Sequence, residues 1–284
     1  MPDSDALVLC SGTLLAAGIP EMVEAAVAGG FRGLTLWPQD YRRARAEGWS
    51  DAELRRLLAD HGLALMDLDP LLTWLPGERE LARKYAAVEI AEEDEFYRIA
   101  DALGARSLNV AQGFGSQIDL ERAAEALAGV CDRAAAHGLL ATLEFLPWSG
   151  IPDAAAAWRV VERSGRANAT VMFDTWHHFR SGCDDAQLRA IPGARIGSVQ
   201  INDAPSRGAG DARESMQARL LPGEGDIPLA RLLRLLDEIG ARAPIGVEVF
   251  SEELALLPPV EVGRRAGAAA RRVLAAARSH PGAN

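Results

Sequence analysis

One phrase recurs along this chain: an amphipathic helix stopping at a glycine, a short apolar strand, and a polar residue at the strand's exit. "AELRRLLADHGLALMDLD", "YRIADALGARSLNV", "CDRAAAHGLLATLEF", "WRVVERSGRANATVMFD" and "LLRLLDEIGARAPIGVEVF" repeat it, and "AVAGGFRGLTLW" and "IPGARIGSVQIND" are shorter versions. At the first, Ser50 and Glu53 are spaced as a capping box and Gly62 stops the helix. Counting the opening "ALVLC", eight strands end near Cys10, Trp37, Asp67, Asn109, Glu144, Asp174, Gln200 and Glu248. The strands are short and mostly apolar on both sides, as parallel strands covered by helices are. Eight strand-helix units in 284 residues predict an α/β fold, a (β/α)8 barrel forming one domain over residues 1–284. An open doubly wound sheet is the alternative. Its glycine-rich first turn is missing, for the turn after the first strand reads "CSGTLLAAGIPE".

Charge and cysteine usage narrow the surroundings. A formal net charge of −10 argues against nucleic acid as a partner, because phosphate backbones attract Lys and Arg. There is no uncharged apolar run of about 18 residues, so no membrane span is expected. The opening "MPDSDALVLCSG" lacks the basic-then-apolar pattern of a signal peptide. Cys10, Cys131 and Cys183 are widely spaced with no CxxC pair, which fits packing residues of a reduced, cytoplasmic protein. His61 and His137 each precede a helix-ending glycine, where an imidazole complements the helix dipole. Trp158, at helical spacing in "AAAAWRVV", reads as core. The connections 70–88 and 203–227 are longer than the rest and follow strand exits, the face where barrels build active sites; both are candidate lids.

"TVMFDTWHHF" (170–179) places Asp174, a Trp and two His at the mouth of an apolar strand. Three more strands carry a polar residue in the same place: "TLEF" with Glu144, "SVQI" with Gln200 and "GVEV" with Glu248. Because strand side chains alternate faces, Leu143 and Phe145 point towards the helices and Glu144 into the barrel; Val199 and Ile201 bracket Gln200 in the same way. Four adjacent strands therefore aim three carboxylates and one amide oxygen at the top of the barrel axis. Burying such charges together is prohibitive without compensation, and no Lys or Arg lies within these strands. A divalent cation would supply it. Oxygen donors of this kind suit Mn²⁺ or Mg²⁺ better than metals preferring thiolate or imidazole.

These segments, "ATLEF", "MFDTWH", "SVQIND" and "VEVFS", with a "PGEG" loop between the last two, resemble the xylose isomerase-like TIM-barrel superfamily, the sugar phosphate isomerases/epimerases. The resemblance covers nearly the whole chain and is most specific over residues 140–250. It implies a metal set of Glu144, Asp174, Gln200 and Glu248, with His177 facing the substrate near the metal. It also implies Arg219 as a substrate-binding residue, with Arg207 as the alternative. Ketose 3-epimerases and xylose isomerases generally have His where Gln200 stands, whereas some 3-dehydroshikimate dehydratases have Gln.

The chemistry implied is proton transfer on a small polyhydroxy ketone through a metal-bound enediolate. Glu144 and Glu248 act as the bases, His177 is a proton donor, and Mn²⁺ is the expected ion, with Mg²⁺, Co²⁺ or Zn²⁺ as substitutes. Isomerisation or epimerisation of a ketose or related sugar is the first expectation. Dehydration of a cyclic hydroxyketone such as an inosose or 3-dehydroshikimate is the alternative. Trp37, Asn109 and Trp148 are candidates to line the pocket around a sugar or cyclitol-like ring. His178, one step past His177, points elsewhere. The acids of "VEVFSEELALLPP" disfavour a phosphorylated substrate. A DNA-repair endonuclease on the same barrel would need three zinc ions, many His and a positive surface; five His and an acidic balance oppose it. A barrel that merely binds sugar would not need the intact acid set. Homo-oligomers are common for such barrels, with no subunit number fixed by this sequence.

Overall fold

Eight parallel strands pair in chain order and the last pairs with the first, closing a barrel. They are β1 Leu7–Leu9, β2 Gly33–Leu36, β3 Ala64–Leu71, β4 Ser107–Ala111, β5 Leu140–Glu144, β6 Ala169–Asp174, β7 Ile196–Ile201 and β8 Ile245–Val247. This computed structural model describes residues 6–85, 90–114, 118–206 and 217–279. Helices run between the strands, so the expected (β/α)8 barrel is the fold. None among the described residues is long and apolar enough to cross a membrane.

The register fixes which side chains share the interior. Glu144 pairs with Met172, two residues before Asp174; Asp174 pairs with Gln200; Gln200 pairs with Gly246, two residues before Glu248. Side chains two apart on a strand share a face, so all four polar residues point the same way. Leu143, Val171, Phe173, Val199 and Ile201 take the opposite face and join the core beneath the helices. The inner face is less apolar than the sequence reading expects. Ser107, Thr142 and Ser198 are buried there, each two residues before Asn109, Glu144 and Gln200, and Thr170 is buried four residues before Asp174.

Two strands run further than their polar residues indicate. β4 continues past Asn109 to Ala111, and β3 continues four residues past Asp67 to Leu71, through Pro70. A proline cannot donate to a strand ladder, so "DLDPLL" reads as a strand that has ended. A shift in pairing between Leu68 and Leu71 accommodates it.

Local signals behave as their chemistry requires. Glu53 N–H donates to Ser50 Oγ at 3.2 Å and Ser50 N–H to Glu53 Oε2 at 2.8 Å, the reciprocal box. Gly62 follows that helix at φ +63°. Barrel closure rests on glycine too, for the helix Pro259–Arg278 packs on Ile19–Gly29 so closely that a Cβ at Gly263 would lie 2.1 Å from the Ala25 carbonyl. His61 Nδ1 meets the Leu57 carbonyl at 2.9 Å, and His137 Nδ1 lies 3.0 Å from Asp101 at its helix end. Trp158 packs half-buried against the core.

Of the two long connections, the described part of the first packs down on the barrel. Trp74, Leu75 and Ala82 are buried, and Trp74 Nε1–H donates to the Ala111 carbonyl at 2.9 Å. In the second, Asp203 pairs with Leu220 and Ala218 with Ser251, which brings residues 218–220 against the chain just past β7 and β8. Arg207 lies outside the described residues.

Candidate metal centre and substrate pocket

Asp174 ends β6 and caps the short helix Thr175–Arg180. Its Oδ1 accepts from the Trp176 and His177 amides at 2.6 and 3.1 Å, so one carboxylate both finishes the strand and starts the helix. That turn brings His177 Nε2 to 3.3 Å from Glu144 Oε1 at the end of β5. Glu144 Oε2 accepts from Asn109 Nδ2 at 2.8 Å. Glu248, just past β8, accepts from Gln200 Nε2 at 3.2 Å, while Gln200 Oε1 is buried without a partner.

The sequence shows no cation in these strands, but the fold brings one from a loop. Arg219 is 1% exposed, and its Nη1 donates to Asp174 Oδ2 at 3.0 Å and Glu248 Oε2 at 3.3 Å. Its guanidinium lies 4.8 Å from the Trp176 ring centre and 4.9 Å from that of Phe250. Asp203 anchors the loop: its carboxylate accepts the amides of Ala204, Gly223 and Ile227, each at 2.9 Å. "IND" after β7 carried that signal, a short acid followed by the PGEG turn.

Asp69 was missed by the strand-end pattern. It is 3% exposed on β3, and neither carboxylate oxygen has a hydrogen-bond partner. Burial raises its pKa well above the ordinary carboxylate range, and Asp67, Glu248 and Glu144 push the same way; nearby Thr35 offsets little of this. Burial likewise raises Glu248, to about 8, with Arg219 pulling against it and Glu144 and Asp174 reinforcing it. For Asp174 burial acts upward as well, but Arg219, His177 and the hydrogen bonds of His177 and Asn202 outweigh it and hold the pKa low.

Glu144, Glu248, His177, Asn109, Asp69 and Arg219 face one 240 Å³ pocket, walled by Trp37, Leu146, Trp148 and Phe250. Trp37 stacks on Phe250 at 6.0 Å, and Trp148 meets His177 edge-on at 5.6 Å. Asp174 and Gln200 stand behind this lining, fully buried. Larger hollows lie elsewhere, one of 430 Å³ beside β7, β8 and the last two long helices, and one of 520 Å³ between the PGEG turn, the segment after β8 and the helix Pro259–Arg278. His178 is buried against the Phe173 ring at 5.0 Å, and burial holds its pKa down to about 4, leaving it neutral. With Cys183 and Asp185 it forms a second cluster, in which Arg231 already reaches Cys183 Sγ and Asp185, both at 3.3 Å.

The residues fit a divalent cation. Oxygens of Glu144 and Asp174 and a ring nitrogen of His177 lie within 4.8 Å of one another. Gln200 holds an unused buried oxygen, and four carboxylates, counting Asp69, face a single guanidinium among the described residues.

Residues 23–276 match the family model of the xylose isomerase-like TIM barrel. This chain belongs to that family. The 3-dehydroshikimate dehydratase of Pseudomonas aeruginosa is 31% identical over 261 residues, 91% of this chain and 39% of that protein. The chain thus spans about two fifths of the length of that curated relative. The inosose isomerase of Bacillus velezensis is 30% identical over 132 residues, 46% of each protein. Among solved structures of the xylose isomerase-like fold, the zinc-bound IolI protein superposes with a TM-score of 0.85 at 20% identity, covering 97% of this chain and all (100%) of that one.

Proposed function

We propose that this xylose isomerase-like barrel is a divalent-metal-dependent enzyme that moves a proton next to the carbonyl of a small polyhydroxy ketone, giving an isomer or epimer. The observation that carries the reading is the pair Glu144 and Glu248. Both are buried, both face the same pocket, and each is held by different neighbours, Asn109 and His177 for one and Gln200 and Arg219 for the other. Two carboxyls in unlike settings are what removal and return of a proton require.

Glu144, Asp174, Gln200 and Glu248 would hold the cation. When bound it supplies Lewis-acid polarisation of the carbonyl and its neighbouring hydroxyl. Manganese suits this oxygen-rich set best, with magnesium, cobalt or zinc as substitutes. Glu248 Oε1 or Oε2 takes the α-proton, and Glu144 returns a proton at the neighbouring carbon or on the opposite face. His177 Nε2, within reach of Glu144, donates to the substrate oxygen. Arg219 keeps Asp174 ionised and stops the acids from repelling one another. Trp37, Trp148 and Phe250 shut water out on one side. The free cysteines fit a cytoplasmic enzyme.

A second reading, loss of a β-hydroxyl from a cyclic hydroxyketone, is favoured by the likeness to 3-dehydroshikimate dehydratase along 91% of this chain. There His177 would protonate the departing hydroxyl. Proton exchange into an inosose, a ketose and 3-dehydroshikimate, followed in D₂O with manganese-loaded protein, separates the outcomes. Deuterium gain with an isomeric product supports the first reading and release of water the second; neither exchange nor water release with any of the ketones overturns both.

A further inference from the structure

We infer that Asp69 reads the hydroxyls of an uncharged polyhydroxy ketone, and that this pocket excludes substrates carrying a carboxylate or phosphate. The inference rests on the ketone chemistry proposed above and adds the substrate's charge class.

Asp69 is a buried carboxyl whose two oxygens both lack a partner, and it lines the same 240 Å³ pocket as Glu144 and Glu248. A buried acid left without a hydrogen bond is costly, so its position on β3 is an opportunity only if a ligand supplies donors. Two neighbouring hydroxyls of a ring supply them, one to each oxygen, with no charge brought in. The space fits such a ring, since 240 Å³ equals the share of about eight waters.

An anionic substituent meets the reverse. Three lining residues are acids, Asp69, Glu144 and Glu248, and the one guanidinium among the described lining residues is Arg219. Its Nη1 is already committed to Asp174 and Glu248, and its flat faces lie near Trp176 and Phe250. Beside Asp69 stand Pro70 and Leu72, which offer an anion no donor. A carboxylate placed there would be desolvated next to Asp69, and the described lining offers no guanidinium beyond Arg219 to offset it; a cation held by Glu144 and Glu248 would neutralise those two acids and leave Asp69.

The test uses manganese-loaded full-length protein and a matched pair, an uncharged inosose and the carboxylated 3-dehydroshikimate, with α-proton exchange followed by NMR. Wild type is expected to favour the inosose by about a hundredfold or more in kcat/KM. Asp69→Asn should raise KM for the inosose by about tenfold with manganese affinity unchanged. Asp69→Arg should raise kcat/KM for the carboxylated ketone by about tenfold or more. Quenching of tryptophan fluorescence by myo-inositol and by shikimate provides a readout independent of turnover. Equal or better use of the carboxylated ketone by wild type, tighter binding of shikimate than of myo-inositol, or an unchanged KM in Asp69→Asn overturns the inference and leaves the ketone chemistry standing. Exchange into neither ketone overturns the chemistry, while weaker inositol binding in Asp69→Asn would still support the role of Asp69.

Discussion

Asp67 and Asp69 sit two residues apart on β3, both buried and both facing the barrel interior, yet their surroundings are opposite. Asp67 accepts from Ser198 Oγ at 2.7 Å and from the Ser107 hydroxyl; burial still raises its pKa, but these bonds and nearby Arg106 pull against it. Neither oxygen of Asp69 has a partner at hydrogen-bonding geometry, and only the Thr35 side chain lies near enough to favour its charge. A buried acid that serves the fold finds its partners within the chain, whereas one that serves a ligand is left incomplete. Across the barrel, Asp203 belongs with Asp67, and the unused oxygen of Gln200 belongs with Asp69.

The largest effect that could break this division lies in the site carboxyls. Glu144→Gln and Glu248→Gln should each slow α-proton exchange by about 10²–10⁴-fold, with circular dichroism unchanged. Near wild-type exchange in either variant would remove that residue from the proton transfer. Asp67→Ala should act the other way round. It strips Ser107 and Ser198 of a common acceptor, removes the negative charge near Arg106, and should lower stability by about 2–4 kcal/mol, while the ratio of rates on two ketones stays fixed. Thermal melts and that ratio, measured on one preparation, decide it. A shifted ratio with an unshifted melting point would make Asp67 a ligand-facing group as well.

How much of this could be seen in advance follows from the same contrast. The barrel was legible because eight helix-glycine-strand units repeat, and Glu144, Asp174, Gln200 and Glu248 were legible because each interrupts an apolar run at one strand position. Their side chains do converge. Asp69 was hidden by Pro70, which marks a strand's end by local rules; only pairing with β4 carries β3 past it. Arg219 was singled out through the family resemblance, as the Arg in the loop before the PGEG turn, with Arg207 as the alternative. That it lies between Asp174 and Glu248 depends on two isolated bridges between loops, which no local pattern encodes.

A smaller effect sharpens the comparison. Asp69→Asn removes no hydrogen bond the fold makes, so the ligand-free protein should keep its melting point or gain the equivalent of up to about 1 kcal/mol. A clear loss of stability would move Asp69 into the company of Asp67.

The smallest effect concerns an acid between the two extremes. Glu78, 3% exposed at the start of the helix Glu78–Tyr85, receives a long bond of 3.4 Å from the Leu75 amide, and its Oε1 has no partner at hydrogen-bonding geometry. Burial raises its pKa to about 8 from an ordinary 4.5, with the Leu75 and Phe114 amides pulling back. The folded protein therefore holds this proton more tightly than the unfolded chain. Its contribution to stability is fully present below pH 4.5, falls as pH rises from there, and is gone once pH passes about 8. Glu78→Gln carries no titrating proton and should flatten that part of the decline, with the two proteins' melting points diverging across this window. Parallel profiles would mean that Glu78 is ionised in the folded protein, satisfied as Asp67 is rather than waiting as Asp69 is.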